Sequence, residues 1–175
     1  IKTALIGDPV YYRQLVGEQP ELRLPETQVE AVFRSAKVKV AIVQRDEHEQ
    51  GLRKLLNLGH TLGHGLEQAL GYGKLLHGEA VAIGMVAAAY VAQRLGLAET
   101  PLTDELRTFL THYNLPVAWP TGLSITEVTT PVLLDKKNQS GQVTMLLPIK
   151  PGEIVEEALK VTEFNKLMEA FRGEI

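Results

Sequence analysis

Apolar positions along this chain recur mostly at intervals of three and four residues, the period of α-helices. Asp8 or Pro9 opens a short helix running through Leu15, and Pro25-Glu26-Thr27 opens a long one; proline is pre-set for a first helical turn. Along the long helix Val29, Val32, Phe33, Ala36, Val40 and Val43 trace a single stripe, with Lys37 and Lys39 off it. A helix carrying His60 and His64 is expected to end near Gly71. The densest apolar run, Ala80 to Ala92, lies between Glu79 and Arg94. A helix that is apolar all round is a buried one, and Gly96 is suited to capping its end. Thr100-Pro101 opens another helix, and Leu115-Pro116 and Trp119-Pro120 interrupt the pattern. Ser124 to Leu134 resumes as helix despite its Thr-Thr-Pro, Gln142 to Ile149 alternates weakly enough for a short strand, and Val161 to Phe171 closes the chain as helix. The predicted fold class is mainly α: one multi-helix domain with at most a short β element near 142–149. With no internal repeat, low-complexity tract or linker, a second domain is not expected.

Composition narrows the class. The 175 residues are 45% apolar and 22% charged, enough for one globular domain with a sizeable core. A formal charge of −3, no long basic run and 6% aromatics leave neither the electrostatic footprint nor the stacking platform of a nucleic-acid binder. Cysteine is absent, which excludes disulfides, thiolate metal sites and a cysteine nucleophile, and fits a reducing cytoplasm. Any metal must then be held by histidine or carboxylate. The Ala80–Ala92 run falls short of the about 20 residues a bilayer requires, so no membrane partner is expected. The opening Ile1-Lys2-Thr3-Ala4 has neither initiator methionine nor a signal leader and reads as an internal start.

The chemistry concentrates between Asn57 and Glu79, which hold three of the five histidines. His60 and His64, four apart, project from one helical face, and Glu67 falls on that face too. Imidazoles on a rigid helix, joined by a ligand from elsewhere, hold zinc-like ions with a position open for substrate; the same spacing also occurs on solvated faces and near helix ends. Glycine costs a helix interior about 1 kcal/mol relative to alanine. The density of Gly59, Gly63, Gly65, Gly71, Gly73 and Gly78 therefore argues for close approach of backbone or ligand.

Five ordered segments resemble 3-dehydroquinate synthase: Lys37-Val38-Lys39; Asp46 to Arg53; Leu56-Asn57-Leu58-Gly59-His60-Thr61-Leu62-Gly63-His64; Gly71-Tyr72-Gly73; and His77-Gly78-Glu79-Ala80-Val81-Ala82. Ile1-Lys2 and Asp135-Lys136-Lys137-Asn138 also fit. The resemblance implies that residues 1–175 form the C-terminal helical metal- and substrate-binding domain of the dehydroquinate synthase-like type. Such an enzyme has a separate N-terminal NAD-binding domain, and no glycine-rich phosphate loop follows a strand here. NAD and a divalent metal, zinc or cobalt, are the implied cofactors. His60 and His77 are the implied metal ligands, with a third, a glutamate, expected just before Ile1. Glu67 and Glu79 are assigned instead to bonding a histidine or a helix end. His64 turns to the substrate, a sugar phosphate carrying a phosphate and a carboxylate. His64, Lys2 and Lys39 are the implied catalytic groups, and Lys39, Arg53, Asn57, His64 and one of Lys136 or Lys137 the substrate contacts. Arginine grips such anions bidentately, whereas lysine acts as a point charge. Gly65 stands where alanine is frequent, and Lys74 and Leu75 occupy a region often aromatic; neither removes a functional group. The implied activity is cyclisation of 3-deoxy-D-arabino-heptulosonate 7-phosphate to 3-dehydroquinate with loss of phosphate, by a cytoplasmic homodimer, this chain alone being inactive. The alternatives are a related sugar-phosphate cyclase, a metal-dependent polyol dehydrogenase, or a helical interaction module without chemistry.

Overall fold

Burial is organised around the most apolar segment. The computed structural model describes residues 1–22, 24–48, 51–71, 73–98, 102–134 and 141–174. In chain order the elements are α1 (Lys2–Gly7), α2 (Pro9–Glu18), α3 (Pro25–Arg45), a 3-10 helix (Leu52–Asn57), α4 (His60–Leu70), α5 (His77–Arg94), α6 (Leu102–His112), α7 (Ile125–Leu134), β1 (Gln142–Lys150), β2 (Glu153–Lys160) and α8 (Val161–Arg172). Every residue of α5 from Ala80 to Ala92 is buried. That helix packs on α4, α6, β1 and α8, and α4 packs in turn on α7. Among the described residues no helix is long and apolar enough to cross a membrane.

Local sequence sets the ends of α5. Glu79 accepts the backbone N–H of Leu76 at 2.8 Å, closing the first turn. At the other end Gly96 takes φ +71°, Leu97 N–H donates to the Ala92 carbonyl at 2.9 Å and Gly96 N–H to that of Gln93 at 3.0 Å. This paired closure needs a left-handed residue, which glycine adopts without strain. The crossing of α4 over α5 is equally demanding. A Cβ on Gly84 would run into the Gly59 carbonyl, and on the other side of α4 one on Gly65 would run into the Val128 carbonyl of α7. Of the glycines singled out in the sequence, Gly59 and Gly65 press on backbone, as Gly84 also does, whereas a Cβ on Gly71, Gly73 or Gly78 would meet nothing within 4 Å.

Two features depart from the sequence pattern. The β element is a hairpin, β1 pairing antiparallel with β2 from Gln142↔Lys160 to Lys150↔Glu153, with an irregularity between Pro148 and Lys150. Val143, Met145 and Leu147 of β1 point into the core, but only Leu159 of β2 is buried. A strand with one face on water and three glutamates carries little strand signal. The second departure is α3. Val29, Val32, Phe33 and Val40, which helical periodicity would turn to a core, are exposed. The side of α3 that meets α1 and the 3-10 helix is instead small and mixed. Ile42 is buried, Ser35 receives the Thr3 hydroxyl at 2.9 Å, and Arg34 bridges to Asp8 at 3.1 Å while lying 4.6 Å from the Tyr11 ring centre. Helix α1 has no counterpart in the periodicity reading, being only six residues long.

Candidate metal and anion site

The crossing of α4 and α5 brings three imidazoles into one cluster. His60 is the first residue of α4 and His77 the first of α5. Their ring centres lie 5.1 Å apart, with His64 at 5.4 Å from His60 and 6.1 Å from His77. Nδ1 of His60 donates to the Leu58 carbonyl at 3.2 Å, and Nδ1 of His77 to Oε1 of Glu67 at 3.1 Å. Each ring therefore keeps Nε2 as its bare nitrogen. His64, Glu67 and His77 also form a group whose ligand atoms lie within 4.8 Å of one another. Imidazole nitrogen plus a carboxylate, without thiolate, suits zinc or cobalt better than the all-oxygen shells of magnesium or calcium. The cluster fits such an ion.

Cations border the imidazoles. Lys2 of α1 donates its Nζ to the Leu56 carbonyl at 2.6 Å. Burial, with a smaller push from the Lys39 cation, lowers Lys2 to about 8. Burial also lowers His60 to about 4, helped by the Lys2 charge and by His64 and His77, and only partly opposed by the Leu58 carbonyl. His60 is thus a neutral imidazole at neutral pH, the protonation state that metal ligation requires. Lys2, Lys39, His60, His64 and His77 consequently form one electrostatically linked set.

The other residues singled out from sequence sit beside this set or outside the described part. Arg53 and Asn57 lie on the 3-10 helix that supplies the Leu56 carbonyl. Arg53 is oriented by its own loop: its N–H donates to Asp46 at 2.9 Å and its guanidinium to the Glu47 carbonyl at 2.9 Å. Among the described residues it makes no hydrogen bond to the three histidines. Lys136 and Lys137 lie outside the described residues. The partners that escape sequence reasoning are the Leu56 and Leu58 carbonyls, because a backbone acceptor leaves no mark in side-chain type.

Comparison with known proteins gives this cluster its context. Residues 1–138 match the family model for the 3-dehydroquinate synthase C-terminal region. The chain belongs to the 3-dehydroquinate synthase family. It is 44% identical over 154 residues to the 3-dehydroquinate synthase of Xanthomonas campestris pv. campestris, covering 84% of this chain and 42% of that one. With the 3-dehydroquinate synthase of Synechocystis sp. it shares 43% over 147 residues, 80% of this chain and 41% of the other. The chain therefore spans about two fifths of the length of these 3-dehydroquinate synthases. Among solved structures, 2-epi-5-epi-valiolone synthase from Streptomyces hygroscopicus subsp. jinggangensis, with NAD+ and Zn2+ bound, superposes with a TM-score of 0.82 at 23% identity, over 99% of this chain and 49% of the other. A 2-deoxy-scyllo-inosose synthase complexed with carbaglucose-6-phosphate, NAD+ and Co2+ gives 0.69 at 21% identity, over 79% and 40%. At such identities the likeness establishes that this chain shares their fold.

Proposed function

We propose that the protein containing this chain is a 3-dehydroquinate synthase of the shikimate pathway, cyclising 3-deoxy-D-arabino-heptulosonate 7-phosphate to 3-dehydroquinate with release of phosphate. On this reading the chain is the helical half that holds the metal and most of the substrate groups. The observation that carries it is the convergence of His60, His64 and His77 beside Lys2 and Lys39 in a chain 44% identical to a 3-dehydroquinate synthase.

His60 and His77, each with Nδ1 tied to an oxygen acceptor, would hold the divalent ion, with a glutamate expected ahead of Ile1 as third ligand. When bound, the ion would supply Lewis acidity to a substrate oxygen, and NAD+, which would belong with the part of these enzymes that the chain does not span, would accept a hydride from the substrate and later return it. His64, exposed and next to both ligand rings, moves a proton at the substrate or holds its phosphate. Lys2 and Lys39 attract the phosphate and carboxylate as point charges, Lys2 with its ammonium pinned at the Leu56 carbonyl. Arg53 grips one of the anionic groups bidentately, Asn57 hydrogen-bonds the substrate, and one of Lys136 or Lys137 completes the shell. The enzyme is a carbon–oxygen lyase acting as a cytoplasmic homodimer, and the isolated chain is inactive for want of the NAD-binding half.

The test is phosphate release from 3-deoxy-D-arabino-heptulosonate 7-phosphate by the full-length protein with NAD and zinc, with the product identified and a His60→Ala variant run in parallel. Formation of 3-dehydroquinate, lost in the variant, is the expected result. No turnover by folded, metal-loaded protein, or a different cyclic product, refutes this reading in favour of a related sugar-phosphate cyclase or a polyol dehydrogenase.

A further inference from the structure

The proposed roles leave Glu67 without a task. It lies on α4, one turn beyond His64, and reaches across to α5, where its Oε1 accepts the Nδ1 proton of His77 at 3.1 Å. The pair is unequally exposed, with the Glu67 side chain at 23% and His77 at 58%. At such exposure a carboxylate–imidazole contact adds little to stability. Its effect on the imidazole is larger: it decides which nitrogen of His77 carries the proton and limits rotation of a ring that is otherwise mostly in water. His60 is treated alike, its Nδ1 tied to the Leu58 carbonyl. Both rings thus have an oxygen acceptor behind them and a bare Nε2, and their centres are 5.1 Å apart. Acceptors behind metal-binding imidazoles fix the tautomer and raise the basicity of the ligating nitrogen.

We infer that Glu67 is a positioning residue for the metal, holding His77 with Nε2 bare and turned for coordination while itself remaining outside the coordination shell. This rests on the assignment of His60 and His77 as ligands. The competing arrangement has Glu67 bound to the ion directly, together with His64 and His77, whose ligand atoms lie within 4.8 Å of it. In the structure Oε1 of Glu67 and Nδ1 of His77 are spent on each other, which favours the positioning role. The two roles respond differently to glutamine, whose carbonyl oxygen still accepts a proton from Nδ1 but is a poor replacement for a carboxylate ligand.

The experiment is a Co(II) titration of the metal-free full-length protein, reading the visible d–d bands and the dissociation constant by chelator competition, for wild type, Glu67→Gln, Glu67→Ala and His77→Ala. Circular dichroism of each metal-free variant establishes that it is folded. His77→Ala is expected to lose the high-affinity site. Glu67→Ala is expected to bind about 10–100-fold more weakly with shifted d–d bands, and Glu67→Gln to recover most of that loss. Affinity and bands of Glu67→Ala equal to wild type would overturn the inference while the ligand assignment stood on the His77→Ala result. Glu67→Gln as weak as Glu67→Ala would also overturn it, by making Glu67 a ligand. Retention of wild-type binding by His77→Ala would remove the ligand assignment and this inference with it.

Discussion

A neutral His60 in a half-buried position makes folding depend on pH in a defined direction. Its pKa is about 4 in the folded chain against an ordinary 6.5, so between these values the unfolded state binds more protons than the folded one. Stability must therefore rise with pH through that window, and the folded state bears the full penalty below about pH 4. For metal-free protein, the urea midpoint is expected to fall between pH 6.5 and 4.5 by more in wild type than in His60→Gln; equal falls would show that His60 titrates in the fold as it does in solvent. The clustering of histidines was legible in sequence, since three of five fall between Asn57 and Glu79. What tunes them was only half legible. Glu67 and Glu79 could be read as partners of a histidine or a helix end, and they bond His77 and the Leu76 N–H. The Leu56 and Leu58 carbonyls that hold Lys2 and His60 depend on the path of the backbone through the 3-10 helix, which no residue type announces.

Elements with a buried stripe and marked ends were the readable ones. Helices α4, α5 and α8 have caps or uninterrupted apolar faces, and the end expected for α4 and both limits expected for α5 and α8 lie within two residues of those observed. Strand β2 was unreadable because tertiary pairing with β1, not its own glutamate-rich sequence, makes it a strand. The seating of α4 on α5 explains a second class of signal, the glycines. Alanine is favoured over glycine in a helix interior by about 1 kcal/mol, so a helical glycine in open space should gain from replacement and one against backbone should lose. A methyl on Gly17 would meet nothing within 4 Å, whereas a methyl on Gly84 meets the Gly59 carbonyl. Gly17→Ala is expected to stabilise by about 0.5–1 kcal/mol. Gly84→Ala is expected to destabilise by about 1–3 kcal/mol and to weaken metal binding, because Gly59 immediately precedes His60. Urea unfolding of both variants measures this, and a neutral Gly84→Ala would mean that α4 and α5 separate without consequence.

At the scale of the whole molecule, the core centred on α5 leaves α3 at the margin with its most apolar face outward. Val29 is 69% exposed, Val32 68%, Phe33 67% and Val40 51%. Periodicity recorded that this face is apolar but not what covers it, because the pattern of a surface that meets another part of a protein is the same as that of one that meets its own core. The chain spans 42% of the length of a 3-dehydroquinate synthase it matches, and within the 175 residues nothing described covers this face. The isolated chain should therefore behave as a folded unit with an adhesive helix. It is expected to enhance the fluorescence of an apolar dye and to sediment faster as its concentration rises. Phe33→Lys combined with Val40→Lys should suppress both effects without lowering the unfolding midpoint, since neither side chain contributes to the core. A chain that stays monomeric and dark to the dye would mean that this face is not exposed in solution. Loss of stability in the double variant would mean that α3 packs its stripe inward, against α1 and the 3-10 helix, with Ile42 turned out in its place.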